Sequence, residues 1–460
     1  LLNMAREAMD EGTPLAPPPP PPLPPAPEPS TEEPPNQRLR LLICSLISFT
    51  LLNSANNSQP AAFLPGIASD LGVGKTWVGA FFSFQTIGQL LGTVTAPLFV
   101  KATATRAPIV VLGGAILALN TFVMGIVCMP GARSVSTAVF IAYLCTGRFI
   151  NGAVGGAGSV VALSMLLRVT GELNAATYVG LMEAANMIGN IFGPSVGGLI
   201  EQSFGPAAPF WVYAALIALV SVVLLFAGSE SQHTADLEIG HLKDPESKAK
   251  GSEVNGWKLY SKPPVIATLC ANGIVMIPMA LVEPTLEPYA SSEPTFLTPF
   301  QVGLVLAAMS IGAITAALFV GFVSKRVGQI VPTVAGYVLI VAGMSCFAYA
   351  PKNVGYFILA LVCMGMGGMS AFVVSSLLLM RLCRTYGLDA RAYAELIAAG
   401  VNLAGTLGLT IGSLLSGALS ESFGFRRMAE FLSLGGLVSG LILLIPCHPM
   451  VMGRKLAPIQ

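Results

Sequence analysis

Between residues 41 and 447 the chain is a succession of apolar stretches of about 20 residues, the length that crosses a ~30 Å hydrocarbon core as a helix. Inside a bilayer every backbone amide has to be satisfied by the protein, so stretches of this kind are restricted to helices. They fall at residues 41–64, 77–100, 108–129, 138–166, 176–200 and 209–227, and again at 264–289, 300–323, 331–349, 355–380, 393–419 and 429–447. The pattern predicts an all-α membrane protein of twelve transmembrane helices in two six-helix bundles. Composition agrees: 54% of the 460 residues are hydrophobic and 10% are charged, against roughly 25% charged in a soluble domain.

The polar segments set the domain boundaries. Residues 1–37, with a proline run at 17–22, cannot bury enough apolar surface to order themselves and are expected to form a disordered, polyproline-leaning tail. Such a tail fits a solvated extension better than an SH3-type ligand, because proline-rich composition is common in disorder. No apolar core of a signal peptide lies in the first 36 residues. The N-terminal bundle is placed at 38–227, a linker at 228–263, the C-terminal bundle at 264–450 and a short tail at 451–460. With both termini and the linker cytoplasmic, 18 of the 24 Lys and Arg residues lie inside, and Lys75, Arg133, Lys352, Arg426 and Arg427 lie outside. Basic residues collect on the cytoplasmic side of membrane proteins, so this is the orientation expected, in a vesicular, endomembrane or plasma membrane.

The halves also repeat one another. Gly189, Gly193, Gly198 and Ser203-Phe204-Gly205 recur 219 residues later as Gly408, Gly412, Gly417 and Ser422-Phe423-Gly424. Val78-Gly79 and Ile87-Gly88 recur 224 residues later as Val302-Gly303 and Ile311-Gly312. Two halves related by a parallel repeat describe a secondary transporter that rocks about a central site. The densest of these segments holds Gly189, Gly193, Pro194, Gly197 and Gly198. Glycine and proline weaken soluble helices by about 1 and 3 kcal/mol per residue, but in membranes they allow close helix contact or a bend. The second copy keeps the glycine spacing and has Ser413 in place of Pro194, so the bend belongs to the first half.

Several chemistries are excluded. A net charge of +1 offers nothing to nucleic acid. The eight cysteines form no CxxC pair, so neither a metal site nor a disulfide framework is implied. No nucleophile–base set or phosphate loop suggests an enzyme, and no cofactor is expected beyond a proton gradient. His233, His241 and His448 fall outside the predicted spans.

Charge inside a membrane is costly and usually faces a bundle interior or a water-filled cavity. Four such residues stand out. Arg148 suits a proton relay or a packing role bonded to carbonyls, and Glu183 suits a proton site or a hydrogen bond between helices. Glu283, before Pro284, suits a counter-ion for an amine, because proline frees backbone carbonyls beside it. Glu287 lies nearer the outer end, where a carboxylate meeting water is the simpler reading. Asn53, Asn56, Asn57 and Gln59 give the first helix a polar side for a substrate.

Over residues 38–450 the chain resembles the major facilitator superfamily of transporters. Gly189 to Gly198 resembles the GxxxGPxxGG signature in the fifth helix of drug/proton antiporters. Leu144, Arg148, Asn151 and Gly152 resemble its fourth-helix LxxxRxxQG, with Asn for Gln. Gly321, Ser324, Lys325, Arg326 and Gly328 resemble the cytoplasmic gate motif after the eighth helix, with Ser where Asp is frequent. Within the superfamily, Glu283-Pro284-Thr285-Leu286 is similar to the seventh-helix LEPTLPxW of vesicular amine transporters, and Glu183 sits where their polyamine branch has a glutamate. Aspartates of the monoamine branch in the first, tenth and eleventh helices are missing, which directs the expectation to a polyamine or another organic cation. The resemblance implies proton-coupled antiport by alternating access, with Glu183 and Arg148 in proton coupling and Glu283, Glu287 and the first-helix amides at the substrate. A facilitator for a small neutral metabolite, and a transporter-like receptor or scaffold, are the alternative expectations.

Overall fold

In a computed structural model the apolar segments form helices, and among the described residues no strand occurs. The described residues are 37–102, 107–129, 137–241, 256–328, 330–388, 393–433 and 435. The predicted tails, apart from Gln37, and residues 242–255 of the linker therefore lie outside the described residues.

The helices are α1 (Gln37–Ser58), α2 (Leu64–Asp70), α3 (Lys75–Ala102), α4 (Ala107–Val127), α5 (Thr137–Phe204) and α6 (Ala208–His241). They continue as α7 (Gly256–Tyr260), α8 (Pro263–Ala290), α9 (Pro299–Val327), α10 (Ile330–Tyr349), α11 (Val354–Thr385) and α12 (Ala394–Phe423). Local sequence sets several of these ends. A 3-10 turn at Gln59–Ala62 separates α1 from α2, and Pro60 and Pro65 each sit at the start of the element that holds them, where a missing N–H costs nothing. Thr298 and Gln301 form a capping box ahead of α9, with Pro299 opening the helix. Asn353 caps α11, its side chain accepting from the Gly355 amide at 2.8 Å.

Nine helices among the described residues are long and apolar enough to cross a membrane, beginning with α1 and α2 taken together, Gln37–Asp70, and ending with Leu396–Phe423 of α12. Of the remaining predicted spans, the second is helical in α3, and the fifth lies in the latter part of α5. The twelfth begins as a helix at Phe425 and then leaves the described residues.

Helix α5 takes in both the fourth and the fifth predicted spans, and it cannot be straight. Asn53 Nδ2 donates to Gly155 O at 3.4 Å and Ser159 Oγ at 3.2 Å, while the next residue, Ser54, donates to Asn186 Oδ1 at 2.7 Å and Asn190 Oδ1 at 2.9 Å. A straight helix would hold residues 155 and 190 about 50 Å apart at 1.5 Å per residue. The two arms of α5 therefore double back on either side of α1, as two antiparallel spans must.

The polar segment after residue 227 differs from a plain linker at both ends. Helix α6 continues to His241, since no proline intervenes before Pro245. Helix α7 docks on the C-terminal bundle: Leu259 is fully buried, and the Tyr260 hydroxyl donates to Leu396 O at 2.6 Å.

The internal repeat has a packing counterpart. A Cβ at Gly189 or Gly193 would collide with the α1 backbone at Leu51 and Ala55, and one at Gly408 or Gly412 with the α8 backbone at Gly273 and Ile277. Gly88 of α3 lies against Phe149 O of α5, and Gly312 of α9 against Val362 O of α11. In each half the repeated glycines bring the same pair of helices into backbone contact, the close approach that small residues permit in membranes.

Candidate functional site

The bundles touch along two seams that copy one another. On one, Gly79 of α3 meets Ser413 O of α12, and Gly417 of α12 meets Lys75 O of α3. On the other, Gly303 of α9 meets Pro194 O of α5, and Gly198 of α5 meets Pro299 O of α9. These pairs correspond under the offsets of 224 and 219 residues found in the sequence, so the seams obey the pseudo-two-fold of the repeat. Polar contacts follow the same lines. Ser195 Oγ donates to Gly303 O at 3.2 Å, and Thr410 Oγ1 to Thr86 Oγ1 at 2.9 Å. Glu421 of α12 accepts from the Thr76 amide at 3.1 Å and from its hydroxyl at 2.6 Å. Among the described residues, then, the bundles are joined at the end that carries Lys75. Pro194 stands on the α5–α9 seam, and its neighbouring glycines face that seam, α1 or the turn that follows it: Gly198 meets α9, Gly193 meets Ala55 of α1, and Gly197 meets Gln59 of the 3-10 turn.

Deeper between the bundles lies Arg148 on the first arm of α5. It is 1% exposed, and its Nη1 donates to Asn57 O at 3.0 Å. Its guanidinium lies over the Phe82 ring, 5.1 Å from the centroid, and its Nε has no partner. The opposing charge is Glu283 of α8, in the other bundle, which interacts electrostatically with Arg148. Asn57 also holds this place from the far side, its Oδ1 accepting from Gln85 Nε2 of α3. Three helices of the first bundle, α1, α3 and α5, thus gather around Arg148, and Glu283 of α8 is the charge that acts on it from the second. Helix α8 contains Pro278, Pro284 and Pro288, so the backbone beside Glu283 carries carbonyls without helix partners.

The other first-helix amides are engaged within the N-terminal bundle. Asn56 Nδ2 donates to Thr121 Oγ1 at 3.2 Å, Gln59 Nε2 to Asn56 Oδ1 at 3.1 Å, and Asn151 Nδ2 to the same Thr121 hydroxyl at 3.4 Å. Asn53 is bonded to α5, as described above. Glu183 lies on the second arm of α5, with Asn186 as its hydrogen-bond partner, and is not among the partners of Arg148. Glu287, one turn beyond Glu283, packs against Gly66 of α2 and accepts from Ser291 Oγ at 3.2 Å. The predicted gate motif lies in the last turns of α9. Ser324 is buried there with an unpartnered hydroxyl, and Arg326 lies over the Phe322 ring at 4.3 Å. Gly328 ends the helix at a φ of 83°, a left-handed conformation that favours glycine.

Two residues of the charge site were not singled out from the sequence, Gln85 and Phe82. The signal for Gln85 was present, a polar side chain among apolar neighbours in the second span. Phe82 carries no such mark, being one aromatic among several.

The sequence matches the family description "Major Facilitator Superfamily" over residues 42–394 and 297–458. The mouse (Mus musculus) MFS-type transporter SLC18B1 is 24% identical over 435 residues, covering 90% of this chain and 88% of that protein. The human (Homo sapiens) synaptic vesicular amine transporter is 25% identical over 288 residues, covering 62% of this chain and 52% of that protein. Among solved structures, the nucleoside transporter NupG superposes with a TM-score of 0.67 at 14% identity, covering 89% of this chain and 98% of that one. A bacterial homolog of the human lysosomal transporter Spinster, inward-facing and occupied, gives 0.68 at 12% identity, covering 92% and 100%. At these identities the superpositions carry the fold alone.

Proposed function

The chain belongs to the major facilitator superfamily and is a multi-pass membrane transporter, and from that premise we propose that it exchanges protons for an organic cation by alternating access. The observation that carries this reading is the buried Arg148 and the Glu283 that answers it from the opposite bundle. A cationic substrate reaching Glu283 competes with Arg148 for the same carboxylate, and charge on α8 then changes how the two bundles hold each other. Glu183 offers a second carboxyl in the first bundle, where a proton can be taken up and released. The relatives named as a vesicular amine transporter and the drug-resistance protein MdtL of Klebsiella pneumoniae, 26% identical over 199 residues, support a substrate of this class. With both termini cytoplasmic, the joined Lys75 end faces the lumen or the outside, so the conformation described is closed on that side.

In vesicles with an acid interior, the full-length protein is expected to concentrate a polyamine such as spermidine several-fold above the passive level. Collapsing the pH gradient with a protonophore should abolish the gain. Uptake that is indifferent to the gradient would replace antiport with facilitated diffusion, and no flux at all for amines would remove the cation.

A further inference from the structure

At the Lys75 end one carboxylate of the second bundle is buried without a positive partner among the described residues. Glu287 is 6% exposed. Its Oε1 accepts from Ser291 Oγ, the residue that caps its own helix, and the carboxylate packs against Gly66 of α2, in the first bundle. A Cβ at Gly66 would stand 2.8 Å from Oε1, so any larger residue there would push the carboxylate aside. Oε2 is buried with no hydrogen-bond partner.

The charges that face it are of its own sign. Asp70 on α2 and Glu201 at the end of α5 both interact with Glu287, and both belong to the first bundle. Its own helix adds Glu283, four residues away on the same face. Among the described residues, Arg427 at this end is exposed and the other three cations are engaged elsewhere. Lys75 interacts with Glu421; Lys352 Nζ donates to Ser292 O and Glu293 O, each at 2.6 Å; and Arg426 donates to Tyr289 Oη at 3.0 Å.

We infer that Glu287 is a proton-binding site whose occupancy closes the Lys75 end. An ionised carboxylate buried without a counter-charge is expensive, whereas a protonated one is neutral, places its hydrogen on Oε2 and keeps Oε1 as the acceptor for Ser291. Closing brings Glu287 against Asp70 and Glu201, so the ionised form opposes closure and the protonated form does not. The sign follows: the closed end is favoured at low pH and loosens as pH rises through the range in which Glu287 gives up its proton. This is independent of whether the transported species is an amine, because it concerns the closing of the bundles and not the Arg148–Glu283 pair.

Amide hydrogen exchange of the full-length protein in nanodiscs tests it without any transport. After correction for the intrinsic pH dependence, protection of residues 64–79 in the wild type should fall about tenfold between about pH 5 and pH 8. Helix α10 should not change, which separates opening from unfolding. Glu287→Gln is expected to hold the high protection at both pH values. Asp70→Asn combined with Glu201→Gln leaves Glu287 in place and should shrink the pH-dependent change by at least half. Protection that is independent of pH in the wild type, or a full pH response retained in either variant, overturns the assignment.

Discussion

Valine at Gly198 or Gly417 is expected to prevent the bundles from closing at the Lys75 end and to reduce transport by one to two orders of magnitude. The reason lies in what each glycine meets. A Cβ at Gly198 would collide with the carbonyl of Pro299, and one at Gly417 with the carbonyl of Lys75 and, at 2.5 Å, with the Thr76 Cα. These obstacles are backbone atoms of helices anchored in the opposite bundle, and they cannot rotate away as a flexible side chain can. Overpacking of this kind costs about 1–3 kcal/mol, which becomes about 5- to 150-fold in the ratio of open to closed forms. The cost falls on the closed form alone, because the contact exists only when the bundles meet. Thermal stability should therefore change little, while exchange of amide hydrogens at residues 64–79 accelerates. Gly113→Ala is the control, since its Cβ would meet only Val154 Cγ1 at an ordinary 3.5 Å. Wild-type flux in both valine variants would show that these seams do not separate during transport.

The same seams show how much a single sequence can disclose. The apolar segments, the repeat and the glycine-rich motif are one-dimensional signals, and each has its physical counterpart in the helices. The repeat went further: Gly79 with Ser413 and Gly303 with Pro194 are contacts that two offsets place in correspondence, although the sequence does not say that they touch. Pro194 read as a bend and stands at the bundle contact, its carbonyl against Gly303.

Facing directions were the part that could not be read. A soluble helix reveals its buried side through polar residues on the other, whereas a membrane helix is apolar all round and loses that signal. Hence Asn53, Asn56, Asn57 and Gln59 look alike in the sequence. In the structure, Asn57 turns its carbonyl to Arg148 while Asn56 and Gln59 bond inside the N-terminal bundle. Arg148 and Glu283 are each conspicuous as charges in apolar surroundings, but nothing in a linear reading sets residue 148 opposite residue 283. That pairing depends on how the bundles dock, a long-range property that neither helix encodes alone.

It also makes the second large expectation specific. Glu283→Gln should abolish cation exchange and lower stability by on the order of 2 kcal/mol, short of the ~3–5 kcal/mol lost when a buried contact pair is broken. The smaller figure reflects a Glu283 that is only half-buried and an Arg148 that stays bonded to Asn57 and stacked on Phe82. Arg148→Met removes a fully buried cation and should spare more stability than the glutamate change, because a methionine fills the site without needing a partner. Combining the two leaves no charge to compensate. Stability of the double variant should then return to within about 1 kcal/mol of the wild type, a coupling that the single changes cannot show. Exchange should stay absent, since the carboxylate that attracts the substrate is gone. Thermal unfolding of all three variants, read beside spermidine flux, checks both halves of the expectation. Stability losses that simply add would mean that Arg148 and Glu283 act separately, and cation exchange surviving in the double variant would place the substrate elsewhere.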